Sequence, residues 1–214
     1  MHTHRLWLRI ACAALMAVPF LAKADNGAAM QAAKRGLTQF AEHQQAIRPG
    51  SSPQDFPLDI TDVGDLKQAS ISHGFEIYTV DPKELLARGD LSALAKPTGE
   101  WRFVVSLRGK PIGLATVQKV NGRYETVAYG GAVLAKDVDA AMGAHGNNAR
   151  SNMRFIRIYQ ARADFLEVDR AKFAPLHSAR ESLLMKKAGD QLVDGAELLE
   201  PLRAAVKANI EAFR

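Results

Sequence analysis

The chain has 214 residues, 28 basic and 23 acidic, with a net charge of +5 and one cysteine. Arg5, Arg9 and Lys23 but no acid fall within residues 1–24, so the remainder sets 25 basic residues against 23 acidic ones, too even a balance to imply nucleic acid as a partner. Cys12 lies in the same segment, so the remaining 190 residues hold no cysteine, which excludes disulfides, thiol nucleophiles and thiolate metal sites there.

Residues 1–24 carry the three parts of a cleavable export signal: the positive Arg5 and Arg9, the uncharged run Ile10 to Leu21, and the small-residue site Ala22-Lys23-Ala24. A spanning helix needs about 20 apolar residues, and this run is shorter and holds Pro19. The pattern predicts a periplasmic or secreted product that begins at Asp25 and has no membrane span. A helix is expected over Ala28 to Ile47, where Met30, Ala33, Leu37, Phe40 and Ile47 recur at helical spacing. Pro49-Gly50-Ser51-Ser52-Pro53 ends it and leads into Asp59, Asp62 and Asp65. These aspartates are three apart, whereas a calcium loop sets its ligands at every second position, so no metal site is expected. Residues 25–60 thus read as a helix with an acidic Pro/Ser-containing loop, and residues 61–214 as a single α+β domain.

That domain opens with a strand signal at Phe75 to Val80. In Asp81-Pro82-Lys83-Glu84, Asp81 suits the cap and Pro82 the first helical position of a short helix. Leu91 to Ala95 adds a further turn. From Trp101 to Gly131 the apolar residues alternate over Trp101, Phe103, Val105 and Leu107, then turn at Gly109-Lys110-Pro111 and again at Asn121-Gly122. This predicts a three-stranded antiparallel meander. Leu134, Val138, Ala141 and Met142 mark a helix stopped by Gly143. A long strand is expected over Arg154 to Val168, with a phase shift between Ile158 and Ala161 that signals a bulge or burial on both faces. Ser178 and Glu181 read as a capping box for a helix to Lys187. An amphipathic C-terminal helix carries Leu199, Leu202, Val206, Ile210 and Phe213 and docks on the protein's own core. The expected architecture is therefore α+β, an antiparallel sheet of about five strands with segregated helices. Its order of elements is similar in layout to small secreted cystatin-like and protease pro-segment domains, a likeness that no motif supports.

Reaction motifs are absent: there is no phosphate-binding glycine loop, no nucleophile elbow and no paired-histidine zinc signature, and no cofactor is implied. The loop Gly143-Ala144-His145-Gly146-Asn147-Asn148 is dense in donors and acceptors, and its histidine, His145, is the side chain there suited by type to proton exchange. From Trp101 to Arg162, ten basic residues stand against three acids, a local field well above the net charge. Three functional readings follow. The first is an exported binding protein without catalysis, holding an anionic ligand or protein partner with Arg102, Arg108, His145, Asn147, Asn148, Arg154 and Arg157. The second is a small exported hydrolase or isomerase whose site is assembled around His145, with Asp164 or Glu125 and arginines near it. The third is an inhibitor or pro-segment that adds a strand to a protease through an edge near Phe75 or Tyr124. Against any ligand on the basic block stands an internal account, in which the acidic N-terminal part covers it within the fold.

Overall fold

The computed structural model describes residues 18–212 except 49, 51, 53, 88 and 186–190, with side chains from Asp25 onward. The export signal expected over residues 1–24 lies outside the described residues, save for the backbone of its end, which opens the first helix. Lys187 and Phe213 lie outside them as well.

Helix α1 (Val18–Ile47) starts earlier than the apolar spacing predicts. Asp62 then caps a 3-10 turn over Val63–Gln68, its carboxylate accepting from the Gly64 N–H at 2.6 Å. Strand β1 (Ala69–Thr79) follows, then α2 (Pro82–Ala87) and α3 (Leu91–Leu94). The Asp81 carboxylate accepts from the N–H groups of Lys83 and Glu84, as the capping signature requires. Strands β2 (Lys96–Leu107), β3 (Lys110–Val120) and β4 (Arg123–Gly130) form the meander, paired antiparallel throughout. Asn121 and Gly122 both take positive φ in its second turn. The first turn sits one residue earlier than expected, on Arg108 and Gly109. Helix α4 (Ala132–His145) runs through Gly143 and is stopped by Gly146.

The expected strand over Arg154 to Val168 is two strands. β5 (Met153–Ile158) and β6 (Ala163–Val168) form a hairpin around a 3-10 turn at Tyr159–Ala161, with Arg162 left-handed. The phase shift marks this reversal, and every residue of β6 is buried. Beyond it come β7 (Lys172–Pro175), α5 (His177–Ser182), β8 (Val193–Asp194) and α6 (Gly195–Ala212).

The sheet therefore corrects the expectation of about five antiparallel strands. It has eight, in the order β4-β3-β2-β1-β5-β6-β7-β8, and it is mixed because β1 and β5 run parallel over Ile77–Thr79 and Phe155–Arg157. The α+β class stands, and no described helix is long and apolar enough to cross a membrane.

Alternation along β2 assigns the two faces. Trp101, Phe103 and Val105 point towards α1, where Ala29, Ala32, Ala33 and Leu37 pack on them. Val104 points the other way and meets Ala135, Val138 and Met142 of α4. The α4 cluster also takes in Phe155, Leu166 and Ala174, so it spans the parallel seam. On the α1 side, α6 docks Leu198, Leu202 and Val206 on Ile156, Phe165 and Phe173. Leu198 leads this stripe where Leu199 was expected, and Leu199 packs only at its margin. Each fully buried phenylalanine in these clusters contributes about 1.5–3 kcal/mol relative to exposure.

Candidate anion site

Alternation also sorts the basic residues of the strands. Arg102 on β2 and Arg157 on β5 emerge on the α4 face, beyond the first turn of that helix, where they line a cavity of about 320 Å3 with Gly131, Val133, Leu134 and His177. This lies within the volume range of small-molecule sites. Burial first, and then the charge of Arg157, push the Arg102 pKa down. Two cations are thus held close together, partly out of water.

The two arginines are not equally committed. Arg157 forms a fork on Asp164, with Nε and one terminal nitrogen at 2.7 and 2.8 Å from its two oxygens. Burial opposes the charge on Arg157, but the bonds and charge of Asp164 outweigh it and raise the pKa. Asp164 is fixed in turn by Ser178, whose hydroxyl donates to the carboxylate at 2.9 Å and accepts from the Asp164 N–H at 3.1 Å. That is why Ser178 does not act as the helix cap read from sequence: it lies inside α5, and Leu176 is the N-cap residue. Arg102 gives only its Nε, at 3.3 Å, to Glu100, and no hydrogen bond joins its terminal amino groups to another described residue.

The first turn of α4 faces the same cavity. Its N-cap is Gly131, left-handed at φ 66°, and no side chain bonds the first N–H groups. A helix start left in this state carries partial positive charge and free donors. Val133 at the rim is 64% exposed, and the half-exposed Tyr159 ring lies 5.9 Å from the Arg157 guanidinium carbon. The acids nearby are already engaged: Asp164 by Arg157, and Asp137 by Arg180 and the His177 N–H. What the cavity offers is the terminal face of a guanidinium whose charge is shared with Glu100, a helix start and an apolar rim.

The other candidate residues lie elsewhere. Arg154 sits on the opposite face with its charge consumed: it pairs with Glu167, donates to the carbonyl and hydroxyl of Ser92, and lies over the Tyr78 ring. Arg108 is exposed and binds Asp65 and Gln68. Asn147 ties its own loop, accepting from the Ser151 N–H at 2.9 Å, and Asn148 is exposed. The backbone carbonyl of His145 accepts from Asn152, and its Nε2 is buried without a partner. The hydrolase reading needs His145 beside Asp164 or Glu125, and among the described residues no hydrogen bond or ion pair joins it to either. Asp164 lines the cavity and His145 does not. Tyr124 does lie on an edge strand, β4, but Val127 bulges there and α1 packs beside it. Phe75 is buried.

Sequence reasoning missed Gly131, Val133, His177 and Ser178. The Gly130-Gly131 pair preceding an apolar helical stripe was the available signal of an uncapped helix start. Among the described residues, no group of three or more histidine, cysteine or acidic side chains is placed to hold a metal ion. No protein-family model matches the chain, and comparison with curated proteins and with solved structures finds no match.

Proposed function

We propose that the protein is an exported binding protein that holds a small organic anion between Arg102 and the start of α4. The observation that carries this reading is the free terminal face of the Arg102 guanidinium, turned into a cavity beside an uncapped helix N-terminus. A monoanion is favoured over a polyanion, because each guanidinium already faces a carboxylate, Arg157 that of Asp164 and Arg102 that of Glu100. The apolar rim at Val133 favours a carboxylate with a hydrocarbon or aromatic body. A guanidinium suits it, since its planar donors match a carboxylate in two parallel bonds.

Calorimetric titration with benzoate, hexanoate, acetate and inorganic phosphate tests the reading. Binding of benzoate or hexanoate ahead of acetate and phosphate is expected. Arg102→Ala should weaken it by about tenfold or more, since a hydrogen bond to a charged group is worth roughly 1.5–3 kcal/mol. Arg108→Ala, which removes an exposed arginine outside the cavity, should leave it unchanged. Equal loss in both variants, or no binding of any of the four anions, would overturn the proposal.

A further inference from the structure

The two carboxylates that face the arginines of the cavity are held in different ways. Asp164 gives both oxygens to the Arg157 fork and takes a further bond from Ser178. Glu100 stands two residues before Arg102 on β2, so alternation puts their side chains on one face. One Glu100 oxygen accepts from the Arg102 Nε at 3.3 Å, and the other from the Gln118 Nε2 of β3 at 2.8 Å. The strand register arranges this, because Trp101 faces Val117 and their neighbours Glu100 and Gln118 then lie side by side. The Glu100 N–H is tied as well, donating to the Thr98 hydroxyl at 3.2 Å.

Glu100 thus brings a charge to the cavity without being built into the fold as Asp164 is. It meets Arg102 through a single long bond, and its other hold is the neutral, exposed Gln118. Its field still counts. The Glu100 and Arg102 side chains are 17% and 19% exposed, so water screens them only in part. The same charge acts on Arg157, behind burial and the bonds and charge of Asp164. Two guanidiniums therefore meet two carboxylates, and a bound monoanion adds one negative charge to a balanced set. A dianion adds a second, which Glu100 repels with no further cation to offset it.

We infer that Glu100 is the specificity-determining residue of the anion site, its carboxylate beside Arg102 restricting the site to singly charged ligands. With that charge removed, two guanidiniums share Asp164 alone, and the cavity accepts a dicarboxylate on the same apolar body. This role rests on the Arg102 reading above, and it sets the charge of the ligand where that reading sets its head and body.

Calorimetric titration of wild type and Glu100→Gln with benzoate and phthalate, at about pH 8 where carboxyl groups are ionised, tests it. Wild type should favour benzoate. Glu100→Gln keeps the shape and a hydrogen-bonding amide, and should raise the phthalate-to-benzoate affinity ratio by about tenfold, as loss of one like charge from a half-buried site implies. Glu100→Ala should raise it too, so that misfolding of one variant, seen by circular dichroism, leaves the other decisive. Asp65→Asn, which removes a carboxylate paired with Arg108 outside the cavity, should leave the ratio unchanged. An unchanged ratio in a folded Glu100 variant, an equal rise in Asp65→Asn, or a wild type that already prefers phthalate would overturn this role while benzoate binding stands. Phthalate binding by Glu100→Gln beside a wild type that ignores benzoate would overturn the Arg102 reading alone. Absence of binding by every protein would overturn both.

Discussion

His73 sits where β1 bulges, with Ser72 and His73 together facing Val104. The bulge turns the imidazole towards α4, where Nε2 lies 3.8 Å from Asp139 and has no hydrogen-bond partner. Burial, and then the charge of Arg150, lower its pKa to about 4, against a smaller upward pull from Asp139. The folded protein thus binds a proton less readily than the unfolded chain, whose histidine titrates near 6.5. The contribution of His73 to stability is full above that value and is lost as pH falls towards about 4. Between pH 7.5 and 5.5 the loss should be about 1 kcal/mol. Urea unfolding at the two values should show it, and His73→Gln should flatten the difference; an equal slope in both proteins would assign it to other groups. Residues of this kind show how far a sequence can be read. Arg102, Arg154 and Arg157 look alike in the strand pattern, and all three are candidates on charge alone. Alternation puts Arg154 and Arg157 on opposite faces, but only the register of β5 against β6 shows which acid each meets, Glu167 for Arg154 and Asp164 for Arg157.

Among elements, α1 rests on the sheet more closely than its composition suggests. Gly36 lies within the helix, and a Cβ there would come 2.3 Å from the Thr126 hydroxyl and 2.6 Å from its Cβ. Thr126 cannot move aside easily, since its hydroxyl donates to the Ala32 carbonyl of α1. On helix propensity alone Gly36→Ala would stabilise by about 1 kcal/mol. The contact reverses the sign, so the variant should melt lower, by an overpacking cost of about 1–3 kcal/mol. Adding Thr126→Gly should recover most of the loss, and a Gly36→Ala protein that melts higher than wild type would show that α1 can lift. The meander was legible because its signals are local: strict alternation and an Asn-Gly turn. The β5–β6 and β6–β7 turns were not, since they place Arg162, Asp169 and Arg170 at positive φ, where sequence reading looks for glycine or asparagine. Ser178 misled for a related reason. A serine before an acid fits a helix cap, and nothing local reveals that a strand carboxylate fourteen residues away takes its hydroxyl.

For the whole molecule, the basic block from Trp101 to Arg162 is largely met from within. Asp25 pairs with Lys119, Asp59 with Lys136 and Asp65 with Arg108, so acids of the N-terminal part do face these cations. Exposed pairs of this sort are worth only about 0–1 kcal/mol each, and their effect is to cancel field rather than to hold the fold. The sheet count fell short because the β5–β6 reversal reads as one strand and because β7 and β8 are too short to carry a period, while the join between β1 and β5, which makes the sheet mixed, has no sequence signal at all. That join is also the place where the molecule is assembled in time. Thr79 and Arg157, which face each other across it, are 78 residues apart in the chain. Closing such a loop from an unstructured chain costs about 4 kcal/mol of entropy before any contact repays it, whereas the meander closes through turns of a few residues. The kinetic order follows: β2 to β4 form the nucleus, and the β5–β8 half docks after the transition state. Val117→Ala, within the meander, should therefore slow refolding. Ile77→Ala, at the seam, should leave refolding nearly unchanged and accelerate unfolding. Stopped-flow chevrons of the two variants measure both rates, and slower refolding of the seam variant would place the docking step before the barrier.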